Sequence, residues 1–389
     1  MFGFKSGKSN GQANGAPGAR ANGQPAVAEQ EVLAALSRIQ DPDLRKDIVS
    51  LGFVKDVAID KGHVSFKIEL TTPACPVKGE MERQAREFVG ALPGVERVDV
   101  SMTSSVRSAS ALPQGNLLPS VRNVIAVGSG KGGVGKSTVT ANLAIALAAT
   151  GARVGLVDAD IYGPTIPGLL GLTGYRPMVR ETPEGKPVMV PAEAHGVKVM
   201  SIGFFVEDPS QPVIWRGPMV GSGVRQLLGD ADWGDLDYLL VDMPPGTGDA
   251  TLTLAQSVPL SGVVIVSQPQ DVSLAIALKA LKAFQSLKAP ILGILENMSY
   301  FVCDECGERH DVFSHGGARK VAEQYEVPFL GEIPLSQDIC ESSDSGTPVV
   351  ALKPDSPQAT AFVDIAKALA AQVSIRAAKR RQVIPLRAV

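Results

Sequence analysis

One octet restricts this chain to a small set of folds: Gly130-Lys131-Gly132-Gly133-Val134-Gly135-Lys136-Ser137. It satisfies the pattern G-x-x-x-x-G-K-[ST], and it stands between an apolar β-forming run at 124–127 and a helix-forming stretch at 137–149. In that setting the glycines let backbone N–H groups turn inward around phosphate oxygens, where any Cβ would obstruct them. The N-terminus of the following helix adds partial positive charge at the same place. Lys136 is placed to neutralise the β- and γ-phosphates, and the Ser137 hydroxyl to ligate Mg2+, with Thr138 next on the first helical turn. ATP with Mg2+ is therefore the expected ligand. A chance glycine-rich turn, the alternative, would have no need of the flanking strand and helix.

Carboxylates fall where such chemistry requires them. Leu239-Leu240-Val241-Asp242 sets Asp242 at the C-terminal end of a buried strand, the place from which an aspartate orders the magnesium shell. The loop from Pro244 to Asp249 then follows, rich in glycine and suited to sensing a γ-phosphate. Upstream, Leu156-Val157-Asp158-Ala159-Asp160 puts two more carboxylates just past another strand end. Asp160 is assigned to the attacking water and Asp158 to the metal side, with the reverse division open. Taken singly, each would pass for an ordinary turn aspartate; beside a complete phosphate loop that reading loses ground.

At 389 residues the chain is long enough for two domains. Residues 1–27 are rich in Gly, Asn and Ala and read as a disordered tail. Residues 28–103 read α-β-β-α-β, a small α+β domain in which Val64, Phe66, Ile68 and Leu70 alternate along one strand. Residues 104–121 carry Ser, Pro, Gly and Asn without a period and read as a linker. From 122 to 373, Val-, Ile- and Leu-rich runs alternate with helical stretches. That is the pattern of an α/β P-loop domain, a mostly parallel sheet covered by helices on both faces. A basic tail, expected to fray, fills 374–389. The formal net charge of −3 argues against a general nucleic-acid binder, and no apolar run approaches a bilayer span. Four cysteines are too few for a disulfide framework, so a reducing cytoplasm is the expected compartment.

Lys131, directly after the first glycine, carries more specific information than the loop itself. The form GKGGVGKS resembles the deviant Walker A family that includes MinD, ParA and the nitrogenase iron protein. That resemblance implies a lysine reaching across a homodimer to the partner's nucleotide, and hydrolysis that depends on two subunits meeting. Within this group the chain is most similar to the Mrp/ApbC branch of iron–sulfur carrier ATPases. The likeness rests on VDADIYGPTIP from Val157 to Pro167, VDMPPGTGD from Val241 to Asp249, ILENMS from Ile294 to Ser299 and GEIPL from Gly331 to Leu335. The first domain, with DPDLRKDIVSLGFV and TTPACP, resembles the one often fused to that branch. The resemblance implies that Asn297 contacts adenine, with Pro334 packing nearby; a cap or turn role is the alternative for Asn297. It also implies a slow, dimer-dependent ATPase that takes clusters from assembly scaffold proteins to apo iron–sulfur proteins, with no membrane or nucleic-acid partner. A MinD- or ParA-like positioning ATPase is the competing reading; it would need a surface-binding element, and the basic run from Arg376 to Arg381 has no aromatic anchor.

Cys303-Asp304-Glu305-Cys306 lets two thiolates converge on one soft metal centre. Two thiolates cannot complete a 4Fe–4S cluster, which normally takes four, but a two-fold axis would bring the same pair from each subunit together. His310 and His315 follow closely, giving C-x2-C-x3-H-x4-H, near the spacing of a zinc knuckle. Spacing alone leaves zinc, and with it a zinc-stabilised regulatory ATPase, level with a shared cluster; the family resemblance favours the cluster. Cys75, ahead of a helix, reads either as a metal-handling thiol or as a structural one. Cys340 reads as core.

Overall fold

The computed structural model describes residues 27–109, 117–183, 185–206, 217–246, 248, 251, 255 and 260–383. Most of the expected N-terminal tail, the end of the C-terminal tail, and Thr247 and Asp249 of the glycine-rich loop lie outside the described residues; Val27 is buried. The described chain forms two compact units, one of 27–69 with 77–103 and the other of 70–76 with 104–383.

In the first unit, strands β1 (Val54–Asp60), β2 (His63–Leu70) and β3 (Arg97–Ser104) form one sheet in that order. Helices α1 (Glu29–Leu36) and α2 (Lys78–Gly90) pack on each other. The alternation read along β2 is realised, with Val64, Phe66, Ile68 and Leu70 all buried. Helix α2 buries Met81, Ala85 and Val89, residues three or four apart that share one helix face.

The second unit is a P-loop NTPase fold around an eight-stranded sheet. Its strands are β4 (Val121–Ser129), β5 (Val154–Asp158), β6 (Ala192–Ala194), β7 (Val197–Ser201), β8 (Leu236–Asp242), β9 (Leu260–Ser267), β10 (Ile291–Glu296) and β11 (Phe329–Glu332). The order across the sheet is β6-β7-β5-β8-β4-β9-β10-β11, and every neighbouring pair is parallel except β6 with β7. Strand β4 is thus central, flanked by β8 and β9. Alternate residues on it serve two separate cores: Ile125 and Val127 join one, Val124 and Ala126 the other. Helix α3 (Lys136–Ala149) and the long α4 (Pro357–Val383) belong to the first core. Helix α5 (Asp271–Ser286) and α6 (Gly317–Gln324) belong to the second. Both sheet faces are therefore covered, as continuous apolar strands require.

Three expectations meet a different structure. The stretch read as a linker is anchored where it is described: Val106 and Ala109 are buried in the first core. Asn123 binds this stretch at both of its amide atoms, accepting from Ala109 N at 2.9 Å and donating to Arg107 O at 3.0 Å. The tail read as fraying is helical to Val383: past the expected boundary Ser374 is buried and Ala377 packs partly buried against the first core. Cys340, read as core, is exposed: its eight-residue helix, Gln337–Asp344, buries Ser342 and Ser343 instead.

Candidate functional site

The phosphate loop runs from the C-terminal end of β4 to the N-terminus of α3, on the side of the sheet where β5, β8 and β10 also end. Gly135 has φ +80°, and a Cβ there would stand 2.3 Å from the Asn297 amide nitrogen, so only glycine fits. Gly130 has a different constraint: its Cβ would lie 2.5 Å from the backbone of Ile276 on α5. The loop encloses a cavity of about 300 Å³ lined by residues 131–138 with Asp160, Thr165 and Pro245 among others. Lys131, Gly132, Gly133, Val134, Gly135, Lys136, Ser137, Thr138 and Asp160 are thereby brought together, whereas Gly130 does not line the cavity.

Beneath the loop lies a buried polar cluster. Lys136 Nζ is 2.8 Å from Asp242 Oδ1, with both side chains almost wholly out of solvent. Ser137 Oγ donates to Asp242 Oδ2 at 2.6 Å, and Thr140 Oγ1 donates to Asp242 Oδ1 at 2.9 Å. The donor set is hard oxygen, a hydroxyl and a carboxylate, adjoining a phosphate cradle, and it fits magnesium. Ser137 and Asp242 are the residues that would hold that ion. Sequence reasoning missed Thr140, although a polar residue one helical turn after Lys136, on the buried side of α3, was a signal for it.

Asp158 pairs in register with Asp242 across β5 and β8 and is fully buried. Its carboxylate accepts from Asp160 N at 3.1 Å, Ile166 N at 3.2 Å and Ser201 Oγ at 3.0 Å. Burial, with the Asp242 charge beside it, pushes its pKa up to about 8. Asp158 therefore shapes the turn from 159 to 166, whereas Asp160 faces the cavity. Burial raises the Asp160 pKa as well, against the lowering influence of Lys136.

Asn297 is buried and donates from Nδ2 to the Val134 carbonyl at 2.8 Å, tying the end of β10 to the phosphate loop. Pro334 is buried just past β11, beside Ser299, whose N–H donates to Ile333 O at 2.9 Å.

The cysteine pair sits at the tip of a short antiparallel hairpin, Phe301–Val302 with Arg309–His310. Cys303 N donates to Glu308 O at 2.9 Å and Gly307 N to Cys303 O at 2.8 Å, so the tip is closed by its own backbone. Cys303 is half-buried and Cys306 exposed. The backbone N–H groups of Cys306 and Glu305, followed by the Cys306 thiol, lower the Cys303 pKa. Among the described residues no three His, Cys, Asp or Glu side chains converge as a metal-binding group. His315 Nε2 lies 2.9 Å from Glu332 Oε2, and the His310 ring stacks on Phe301 at 6.5 Å between centroids. A single-chain zinc knuckle would require both imidazoles to leave these partners.

Comparison with known proteins agrees with this geometry. Residues 120–370 match the family described as NUBPL iron-transfer P-loop NTPase, and residues 29–101 match a family of iron–sulfur cluster assembly proteins. An iron–sulfur cluster carrier protein of Synechocystis is 50% identical over 347 residues, covering 89% of this chain and 98% of the relative. One from Escherichia coli K12 is 39% identical over 352 residues, 90% of this chain and 93% of that one. Among solved structures, a nucleotide-binding protein from Archaeoglobus fulgidus in complex with ADP is 40% identical, with a TM-score of 0.54, over 64% of this chain and 96% of its own.

Proposed function

The chain belongs to the NUBPL iron-transfer P-loop NTPase family, and from that premise we propose that it is an ATP-hydrolysing carrier of iron–sulfur clusters. It holds its cargo on Cys303 and Cys306 of two subunits and passes it to apo-proteins. The observation that carries this reading is the hairpin tip: two accessible thiols, one with its thiolate favoured, and no third ligand beside them among the described residues. A pair of soft donors per chain suits a cluster completed by a second copy.

In the nucleotide site, the loop N–H groups and Lys136 bind the β- and γ-phosphates, displacing the Lys136 amine from its contact with Asp242. Ser137 and Asp242 would hold magnesium, which would supply positive charge beside the β- and γ-phosphates. Asp160 orients the attacking water; Asp158 sets the turn that carries Asp160. Lys131 of one subunit reaches the nucleotide of its partner and stabilises charge on the β–γ bridge. No helix among the described residues is long and apolar enough to cross a membrane.

Anaerobic reconstitution tests the carrier reading. Iron is expected to approach about four atoms per dimer, with the cluster confined to dimers. Cys303→Ser or Cys306→Ser each removes two of four thiolates, so either abolishes cluster binding while ATP binding persists. His310→Ala and His315→Ala keep the cluster. One zinc per monomer, lost with either histidine and with no iron uptake, would sink the carrier reading and leave the ATPase standing.

A further inference from the structure

Two carboxylates stand side by side at the ends of adjacent parallel strands, Glu296 on β10 and Glu332 on β11, paired in register. Neither belongs to the phosphate site or the thiol pair. Glu296 is fully buried, and Ser299 Oγ at 2.6 Å, Gly316 N at 2.9 Å and Ala318 N at 2.7 Å all donate to it. The partners of Glu332 come from the segment that leaves the cysteine loop: His315 at 2.9 Å, Arg319 at 3.2 Å and Arg309 at 3.7 Å. Arg309 is itself a hairpin residue, paired with Val302, and its guanidinium lies 3.8 Å from the centroid of the Tyr300 ring. The entering arm of the hairpin is held by backbone, through Leu335 N donating to Tyr300 O at 2.7 Å. The leaving arm is held by Glu332.

The residues directly after Glu296 touch the nucleotide loop. Asn297 binds the Val134 carbonyl, and Gln268 Nε2 reaches both Gly133 O at 3.4 Å and Met298 Sδ at 3.1 Å. Met298 adopts φ +54°, a left-handed conformation that costs a residue bearing a side chain. A short, strained stretch thus lies between phosphate loop and hairpin, with charged clamps on its far side.

We infer that Glu332 is a positioning residue: through Arg309 and His315 it fixes the hairpin bearing Cys303 and Cys306 to the end of β11, paired with the end of β10 whose next residues contact the phosphate loop. A nucleotide-driven shift at Gly133 and Val134 is then felt at the thiols. A charge-assisted network transmits such a shift because its partners move together; without it the leaving arm would relax independently. The biological use of this coupling rests on the cluster-carrier reading above, but the coupling itself does not.

The test uses the full-length, cluster-free protein. Alkylation of Cys303 and Cys306 by a maleimide is followed peptide by peptide, with and without magnesium and a non-hydrolysable ATP analogue. In the wild type, nucleotide is expected to change the rates by about fivefold or more, the low end of typical coupling between sites. In Glu332→Gln the difference should fall to within about twofold, while nucleotide affinity and melting temperature stay near the wild-type values. Glu332→Asp should restore part of the difference, which a loss of fold would not allow. Should Glu332→Gln fail to fold, Arg309→Lys, which loses the bifurcated guanidinium but keeps the charge, carries the same comparison. A variant with the full wild-type response overturns the inference, as does a wild type whose thiols ignore nucleotide. Iron uptake, measured separately, decides the carrier reading: nucleotide-sensitive thiols without iron uptake would sink that reading alone.

Discussion

Lys131 and Lys136 are chemically alike and differently placed. Lys136 is buried against Asp242, so Lys136→Ala leaves that carboxylate in the interior without its cation. Hydrolysis should vanish, and unfolding should become easier by about 3 kcal/mol, the scale for breaking a buried pair from one side. Lys131 is half-buried at the loop's mouth. Lys131→Ala should keep the melting temperature and nucleotide affinity yet abolish turnover; wild-type turnover would defeat the cross-subunit role. Gly135→Ala meets both a left-handed φ and the Asn297 amide, so it should remove ATP binding, as titration with a fluorescent analogue would show. The motif residues were legible because their chemistry is local. Glu296 and Glu332 were not, since nothing in the sequence says that β10 and β11 are neighbours. Even so, an acidic residue closing an apolar strand, the signal that found Asp242 and Asp158, was present at Glu296 too.

Among the elements, β8 joins two roles, with Asp242 at its C-terminal end and Tyr238 nearer its start. The Tyr238 hydroxyl is buried 3.2 Å from Thr72 Oγ1, and burial raises its pKa to about 12. The native state therefore retains a proton that the unfolded chain releases above about pH 10. This contribution is intact below pH 10 and is lost as pH rises towards 12, on the order of 2 kcal/mol in all. Urea midpoints between pH 9 and 12 should fall less steeply for Tyr238→Phe than for the wild type; equal slopes would refute the assignment. Most strands were readable because each buried run has period-two or continuous apolarity, but β6 and β7, short and interrupted by Glu193 and Lys198, were not. The stretch after 103 was misread because its anchors, Val106 and Ala109, are two residues held by partners on β4, which no local period announces. Likewise the charge of residues 376–381 suggested fraying, while the apolar positions that keep α4 helical were spread thinly among alanines.

For the whole molecule, the boundary between units decides what can be cut. A chain beginning at Leu118 omits Val106, Ala109, Thr72 and Ala74, all buried in the second unit. One beginning at Ser104 keeps the first two. The Ser104 fragment should fold and bind ATP, and the Leu118 fragment should be less stable by about 2–3 kcal/mol, roughly one fully buried Val, in chemical denaturation. Equal midpoints would show that the 104–117 stretch contributes nothing. The central place of β4 has a consequence during synthesis. Val121 pairs with Leu236, and Val124 with Leu260, so neither edge of the strand has its lasting neighbour until more than a hundred further residues have been translated. At about 5–20 residues per second that wait is roughly 5–20 seconds. For that interval a Val- and Ile-rich strand leaves the ribosome with both hydrogen-bonding edges open, a natural client for a nascent-chain chaperone.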